Sequence, residues 1–319
     1  MSKPRVICTR KWPERVEAAM TEAFDCTLNT ADEAMSAEAL SQALNDYDAV
    51  CTTVTDKVGA DILAAPGRAR VLGQFGVGFN NIDIDAARAA GLTVTNTPGV
   101  LTDATADIAL TLLLNVCRRT YEGEQMLRAG AWTGWRPTQL MGLGPQGKTL
   151  GIIGMGRIGK AMAKRCVHAL DMKVVFYDAF PVADAGVPAT QLETIEEVLA
   201  ASDIVSLHCP GGGDNIHLMN AARFAAMKPG SVIVNSARGD IIDETALIAA
   251  LRSGHLAGAG LDVFEREPAV TEALMTMNNV CLLPHLGSAT IETREAMGFT
   301  VLRNLEAFFA GEEPPNRVV

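Results

Sequence analysis

The chain has 319 residues, of which 48% are hydrophobic and 20% are charged, and its formal net charge at pH 7 is −10. This composition is typical of a globular protein with room for two domains, and it excludes a disordered or fibrous chain. The negative charge, with no basic run, argues against nucleic acid or an anionic membrane as a partner.

The N-terminal stretch and the cysteines favour a cytoplasmic protein. The stretch MSKPRVICTR has no apolar signal-peptide region, and the longest apolar stretch, IALTLLLNVC at 108–117, is too short to span a bilayer. The seven cysteines are scattered without a CxxC pair. This pattern argues against a disulfide framework or a zinc site, so we expect a reducing compartment and no metal.

The first hundred residues predict a small α/β domain. Short apolar runs predict strands at 5–9, 49–53, 70–75 and 92–96, and helical patterns fall near 13–24, 36–45 and 85–90. The stretch NTPGVL at 96–101 ends this region. A long, largely apolar helix is predicted from about Asp103 to Arg119.

From about residue 148, short apolar runs alternate with helical stretches. The runs are rich in Val, Ile and Leu, as strands buried on both faces must be, and they lie at 149–154, 173–178, 203–208, 231–236, 258–264 and 279–284. Helical segments such as 157–170 and 243–254 lie between them, the latter with Asp243 as N-cap and Gly254 as its stop. The alternation predicts a doubly wound parallel sheet. A closing helix at about 289–310 could pack on either domain.

The stretch GIIGMGRIGK at 151–160 places Gly154, Gly156 and Gly159 in GxGxxG spacing, between an apolar strand and a helix. In that context the glycines allow a tight turn, close approach of a pyrophosphate and close helix packing. The helix N-terminus would then face the phosphates. Asp178 ends the next strand, nineteen residues after Gly159, where it can accept hydrogen bonds from the adenosine ribose. Since a carboxylate repels the extra phosphate of NADP, we expect NAD rather than NADP.

Three polar residues follow the ends of three successive predicted strands. Arg238 comes after SVIVNSA, Glu267 after GLDVFERE and His285 after NVCLLP. Ligands of an open parallel sheet bind outside the carboxyl ends of its strands. Each residue alone could be a surface charge or a core histidine, but together they predict a catalytic site at one edge of the sheet.

Four stretches extend this pattern over nearly the whole chain: GVGFNNID at 76–83, GIIGMGRIG at 151–159, NSARGDIIDETALIAALRSGHLAGAGLDVFEREP at 235–268 and LLPHLGSAT at 282–290. In them the chain resembles the D-isomer-specific 2-hydroxyacid dehydrogenases. The stretches at 97–119 and 131–137 are most similar to the glyoxylate/hydroxypyruvate reductase branch. The resemblance implies a flavodoxin-like substrate domain from residues 1–100 and 287–319, a Rossmann-type NAD domain from 101–286, an interdomain cleft and a homodimer.

The chemistry of a 2-keto acid gives each polar residue a role. Arg238 would hold the carboxylate and polarise the carbonyl oxygen, and His285 would exchange a proton with that oxygen as general acid and base. Glu267 would favour the charged form of His285. The resemblance assigns the remaining carboxylate contacts to the backbone of Val77 and Gly78, and it places Ser288 near the substrate.

The resemblance also implies a set of cofactor contacts. These are Thr105, Gly154, Gly156, Arg157, Ile158, Gly159, Asp178, His208, Cys209, Ala237, Asp262 and Gly287. Asp262 would bind the nicotinamide carboxamide, although it could instead be a strand-end cap, and Thr105 could be a helix hydroxyl bonded to its own turn. Trp132 and Trp135 could pack a dimer interface, or Trp135 could reach the substrate of a neighbouring subunit.

The chain departs from the family pattern at Phe79 and Asn80, and more clearly in HCPGGGDNIHLMN at 208–220. Gly211, Gly212 and Gly213 stand there in place of larger residues, which predicts a more flexible loop beside the cofactor. His208 and Cys209 are interpreted as walls of the cofactor pocket, since no partner base or acid accompanies them.

We therefore expect an NAD-dependent 2-hydroxyacid dehydrogenase that reduces a small 2-keto acid, with glyoxylate or hydroxypyruvate first. The alternative is an NAD-sensing binding protein on the same fold, similar to the C-terminal-binding corepressors, which can retain the same three polar residues. Turnover of free keto acids distinguishes the two.

Overall fold

A computed structural model describes residues 2–319, which form two compact units. Unit 1 comprises the described residues up to Leu101 together with Ala289–Val319, and unit 2 comprises Thr102–Ser288. None of the helices in residues 2–319 is both long and apolar enough to cross a membrane.

Unit 1 contains a parallel sheet whose strand order is β2-β1-β3-β4-β5, the flavodoxin-like order. Its strands are β1 (Arg5–Cys8), β2 (Asp25–Thr27), β3 (Ala49–Cys51), β4 (Val71–Gly73) and β5 (Thr93–Thr95). Its first helices are α1 (Glu14–Ala23), α2 (Ala37–Asp46), α3 (Ala60–Leu63) and α4 (Ile84–Ala89).

Unit 2 contains a second parallel sheet. Its strands are β6 (Thr149–Ile153), β7 (Lys173–Tyr177), β8 (Thr190–Gln191), β9 (Ile204–Leu207), β10 (Ser231–Asn235), β11 (Leu256–Leu261) and β12 (Val280–Leu282). Its helices are α5 (Thr102–Cys117), α6 (Thr120–Arg128), α7 (Arg157–Leu170), α8 (Ile195–Ala201), α9 (Ala221–Ala226), α10 (Glu244–Arg252) and α11 (Glu272–Met275). The strand order β12-β11-β10-β9-β6-β7-β8 reverses direction between β6 and β9, as in a Rossmann fold.

Both faces of the unit 2 sheet are buried, which explains its continuous apolar strands. Within β10, Ile233 packs into one core, whereas Val232 and Val234 pack into the other. The predicted N-cap of α10 is confirmed, because the Asp243 side chain accepts a hydrogen bond from the Ala246 N–H. The prediction of a doubly wound parallel sheet is confirmed.

The last helix, α12 (Ile291–Ala310), returns the chain to unit 1. A Cβ on Gly298 of α12 would lie 2.5 Å from the Val16 side chain, so the missing side chain allows α12 to approach α1 closely. The residues after α12 extend the sheet beyond β5, since Val94 donates to the Val319 carbonyl oxygen at 3.0 Å and Val318 donates to that of Val94 at 2.7 Å.

Most predicted strands lose one or more residues at their ends, and the edge strands β2 and β8 were not predicted at all. The helix predicted over 103–119 ends at Cys117, and α6 begins at Thr120. Arg119 between them has a φ of 51°, so the left-handed backbone at this residue separates the two helices.

Candidate active site

The turn after β6 carries the three predicted glycines, and each has different surroundings. Gly154 has a φ of 94°, and a Cβ there would lie 2.6 Å from the backbone nitrogen of Cys209. A Cβ on Gly159 would lie 2.3 Å from the Gly154 carbonyl oxygen, so this glycine lets α7 pack closely on the turn. A Cβ on Gly156 would meet no atom within 4 Å. The space beside Gly156 is therefore open, at the amino end of α7.

The amino end of α7 suits a diphosphate. Its N-cap, Gly156, provides no side-chain hydrogen bond, and its first turn contains no acidic residue. The uncapped N–H groups and the positive end of the helix dipole attract phosphate oxygens. The open space and the uncapped helix thus fit a dinucleotide. Arg157, which is exposed, and Ile158, which is half-buried, are the first residues of this helix.

Asp178 directly follows β7 and is held beside the glycine turn. Its Oδ2 accepts a hydrogen bond from the Met155 N–H at 2.8 Å, and its Oδ1 accepts one from the Phe180 N–H at 3.1 Å. An ionised carboxylate has about four acceptor positions, so two are left for ribose hydroxyls. The three residues that follow, Ala179–Phe180–Pro181, include no cation to pair with a phosphate on that ribose.

Arg238 lies in the turn after β10 and is half-buried. Its Nη1 donates to the Ala237 carbonyl oxygen at 2.6 Å. The buried Asn235 supports this turn, since its Oδ1 accepts from the Ala237 N–H at 3.0 Å and its Nδ2 donates to the Arg238 carbonyl oxygen at 2.7 Å. Burial lowers the pKa of the Arg238 guanidinium, against the opposing charges of Glu267 and Asp240. An arginine nevertheless stays a cation at neutral pH.

His285 and Glu267 form a direct pair. The Nδ1 atom of His285 lies 2.9 Å from Oε2 of Glu267, and the side chains are 33% and 32% exposed. Oε1 of Glu267 accepts a hydrogen bond from the Phe264 N–H at 3.0 Å. Burial would raise the pKa of Glu267, but the hydrogen bond and charge of His285, together with Arg238, lower it below its usual value. Glu267 is therefore an anion at neutral pH.

Asp262 organises the loop that carries His285. Its side chain is fully buried, and its two carboxylate oxygens accept hydrogen bonds from the Leu286 N–H at 2.6 Å and the Gly287 N–H at 2.8 Å. Burial raises the pKa of Asp262, in opposition to these donors. The contacts are those of a strand-end cap. A contact with a carboxamide remains a prediction.

Thr105 joins α5 to the same loop. Its Oγ1 donates to the Gly287 carbonyl oxygen at 3.0 Å. The alternative of a hydroxyl bonded to its own helical turn is therefore wrong. Ser288, the next residue of the loop, is half-buried.

His208 and Cys209 follow β9, which pairs with β6 at the point where the strand order of the sheet reverses. Burial lowers the pKa of His208 to about 4, and its Nε2 lies 2.9 Å from the Ser206 hydroxyl oxygen. Burial raises the pKa of the Cys209 thiol to about 11. Both groups are therefore neutral at pH 7. This agrees with their interpretation as pocket walls rather than a nucleophile and its base.

The remaining predicted residues belong to other parts of the chain. Val77 and Gly78 lie in the loop after β4 of unit 1 and are half-buried. Trp135 lies in an irregular segment of unit 2 and is 81% exposed. Within residues 2–319, no group of three or more His, Cys, Asp or Glu side chains could hold a metal ion.

Unit 2 also has a cavity of about 540 Å³ that contains none of the predicted site residues. Its lining includes Val232, Ala257 and Val280, which lie at or near the amino ends of β10, β11 and β12. Arg238, Glu267 and His285 follow the opposite ends of those strands.

Comparison with known proteins places this geometry in a family. The sequence profile of the D-isomer specific 2-hydroxyacid dehydrogenase NAD-binding domain matches residues 110–287, more than half of the chain. The chain belongs to this family. A glyoxylate reductase from Thermococcus litoralis is 43% identical over 322 residues, which cover 99% of this chain and 97% of that protein. One from Pyrococcus furiosus is 40% identical and covers 99% of this chain and 95% of its own.

Solved structures of related enzymes have a similar fold over the whole chain. A glyoxylate reductase from Paecilomyes thermophila has a TM-score of 0.89 at 31% identity, over 100% of this chain and 99% of that one. An NADPH-dependent glyoxylate/hydroxypyruvate reductase from Sinorhizobium meliloti, in complex with NADP and malonate, has a TM-score of 0.89 at 36% identity, over 100% and 97%. This 2-hydroxyacid dehydrogenase is thus an oxidoreductase that uses a nicotinamide cofactor and reduces a small keto acid.

Three polar residues that hold the predicted site residues in place were not predicted from the sequence. Asn235 holds the Arg238 turn, as described above. Asp240 joins the Arg238 turn to the loop Gly211–Gly213, because its Oδ2 accepts a hydrogen bond from the Gly212 N–H at 2.8 Å. Gln74, fully buried, donates to the Gly78 carbonyl oxygen at 3.1 Å. For two of them a signal exists, since Asn235 and Gln74 are single amides at the ends of the apolar runs SVIVN and VLGQ.

Proposed function

We propose that this 2-hydroxyacid dehydrogenase is an NAD-preferring reductase of glyoxylate or hydroxypyruvate. The observation that carries the proposal is the 2.9 Å pair of His285 and Glu267, in the same sheet edge as Arg238. A paired, partly exposed imidazole and a guanidinium are the two groups that reduction of a 2-keto acid requires. In this proposal unit 2 binds the cofactor and unit 1 contributes to substrate binding.

Each residue has one task in the proposed reaction. Arg238 holds the keto acid and polarises its carbonyl oxygen with a fixed fork of donors. His285 donates its Nε2 proton to that oxygen, since its Nδ1 faces Glu267. Glu267 holds the imidazole through its Nδ1 atom, and the N–H groups of Val77 and Gly78 bind the carboxylate. The reduced nicotinamide supplies the hydride that the carbonyl carbon accepts.

The preference for NAD rests on Asp178. Its carboxylate is fixed by two backbone N–H groups, so it cannot turn away from a ribose bound beside the glycine turn. An additional phosphate there would meet a like charge, and none of the three residues after Asp178 is a cation. The Sinorhizobium meliloti relative is NADPH-dependent, so the cofactor preference of this chain has to be measured directly.

The proposal is tested by NADH and NADPH consumption with glyoxylate, hydroxypyruvate, pyruvate, oxaloacetate and phenylpyruvate. We expect the highest kcat/KM for the two smallest 2-keto acids with NADH. Asp178→Asn keeps the shape of the side chain and removes its charge, so the NADPH-to-NADH ratio of kcat/KM should rise about tenfold or more.

Two results would contradict different parts of this proposal. A wild-type preference for NADPH overturns the argument from Asp178 and leaves the proposed chemistry in place. Tight NADH binding without turnover of any keto acid in the panel overturns the proposed reaction and favours the NAD-sensing alternative.

A further inference from the structure

The loop Gly76–Phe79, after β4, has all four of its carbonyl oxygens bound by protein donors. The Gly76 oxygen accepts from the Thr97 N–H at 3.0 Å, that of Val77 from Asn96 Nδ2 at 2.8 Å, that of Gly78 from Gln74 Nε2 at 3.1 Å and that of Phe79 from the Ile82 N–H at 2.9 Å. Two of these donors are side-chain amides. The acceptor side of the loop is thus fully satisfied from within unit 1.

The donor side of the loop is not satisfied. The N–H groups of Val77, Gly78 and Phe79 have no hydrogen-bond acceptor anywhere in residues 2–319. All three residues are half-buried, so the loop is partly open to solvent. Backbone N–H groups without a protein acceptor need one from outside the chain. The loop therefore offers three consecutive N–H donors to an acceptor such as an anion.

Gln74 is itself held in one orientation. Its Oε1 accepts from the Thr52 hydroxyl at 2.7 Å, and its Nε2 donates to Asn81 Oδ1 at 2.8 Å as well as to the Gly78 carbonyl oxygen. Asn81 in turn donates to the Asp56 carbonyl oxygen at 2.8 Å. Gln74, Thr52 and Asp56 are all buried. A buried amide with every strong contact used cannot rotate without leaving polar groups unpaired.

We propose that Gln74 and Asn96 are positioning residues for recognition of the substrate carboxylate. By holding the Gly78 and Val77 carbonyl oxygens inward, they keep the N–H groups of Val77, Gly78 and Phe79 available to the carboxylate. Phe79 thereby becomes a third donor beside the two proposed above. The inference rests on the proposed binding of the carboxylate by this loop.

Three variants test the role of Gln74. Gln74→Met has a similar length and no amide, so the KM for glyoxylate should rise about tenfold, with kcat and the Kd of NADH little changed. Gln74→Glu donates to the Gly78 oxygen only while protonated, so its KM should rise with pH relative to wild type. Thr95→Val is the matched control, because Thr95 is equally buried and its hydroxyl donates to the Leu72 carbonyl oxygen at 3.4 Å, away from the loop.

Binding of oxalate to the NADH complex separates this inference from the proposed reaction. In wild type, oxalate should shift the amide NMR signals of Val77, Gly78 and Phe79, and Gln74→Met should weaken its binding about tenfold. Those shifts without turnover support the inference and overturn the proposed reaction. Turnover with an unchanged KM in Gln74→Met, or an equal KM rise in Thr95→Val, overturns the inference and leaves the reaction in place.

Discussion

His285 combines a partly exposed side chain with a constrained backbone. Its φ of 55° lies in the left-handed region, which a non-glycine residue adopts at a cost of about 1–3 kcal/mol. The His285 N–H donates to the Asp262 carbonyl oxygen at 2.9 Å, and the Asp262 carboxylate binds the next two N–H groups. These bonds compensate the strain. The imidazole is therefore oriented before substrate binds.

The pair of His285 and Glu267 predicts a change in pH dependence. In Glu267→Gln the neutral amide cannot pair with the imidazole as the carboxylate does, so kcat/KM for reduction at neutral pH should fall about tenfold to a hundredfold. Because the pKa of Glu267 is lowered, this carboxylate stays ionised at pH values where an ordinary glutamate becomes protonated. The wild-type enzyme should therefore lose activity through protonation of Glu267 only at low pH, and Glu267→Gln should not show this loss.

The matched control is Glu265→Gln, two residues away, whose Oε1 lies 3.1 Å from His217 rather than His285. Steady-state rates from pH 4 to 9 compare the two variants. An unchanged kcat/KM in Glu267→Gln, or an equal fall in Glu265→Gln, would contradict the role given to Glu267.

At the residue scale, sequence reasoning located Arg238, Glu267 and His285 because strand ends and chemical type are both readable in a single chain. The supporting contacts were not readable. Thr105 is bonded to Gly287, 182 positions away in the chain. No local pattern encodes such a pair, since it depends on how α5 packs against the loop after β12.

In the glycine turn after β6, Gly159 is needed for the packing of α7, whereas Gly156 leaves space for the proposed cofactor. Gly159→Ala places a Cβ against the Gly154 carbonyl oxygen and should lower Tm by several degrees. Gly156→Ala meets no atom and should leave Tm unchanged, while its methyl group occupies the proposed diphosphate space and raises the Kd of NADH about tenfold or more.

Thermal unfolding without cofactor and NADH titration by fluorescence measure the two effects. The two variants serve as controls for each other, because they differ in position by three residues and not in chemistry. Full NADH affinity in Gly156→Ala would mean that the cofactor does not lie against this turn.

Strand prediction succeeded in the sheet interiors and at the outermost strands β5 and β12, but it failed at the outermost strands β2 and β8 for a physical reason. Interior strands such as β10 are buried on both faces and must be apolar throughout. The edge strand β2 is the sequence DCT, with two exposed residues, and β8 is only Thr190–Gln191. Such segments pair through their backbone alone, so their side chains leave no periodic signal.

The stretch from Leu127, near the end of α6, to Met141 predicts that the protein associates with another copy of itself. Within it, Trp132 and Trp135 are 51% and 81% exposed, and Leu127 and Met141 are also exposed. Large apolar groups concentrated in one segment are typical of a protein interface. We propose a homodimer that buries this segment, so sedimentation should give a dimer, and Trp132→Ser with Trp135→Ser should shift it toward monomer.

Arg128→Ser is a suitable control, since this exposed residue at the end of α6 pairs only with Glu124 among the described ion pairs. A monomeric wild type would exclude the dimer. A dimer that persists in the double variant while activity on hydroxypyruvate falls would favour the alternative in which Trp135 contacts substrate.

The placement of α12 bears on how the protein is made. Unit 2 is continuous in the chain, whereas unit 1 needs α12 and the residues that pair with Val94. On the ribosome, the nascent unit 1 therefore waits, with the apolar side of α1 uncovered, until all of unit 2 has been translated. Because domains tend to fold as they emerge, unit 2 can reach its native state first. The part of the protein that is synthesised earliest is consequently the part whose fold is completed last.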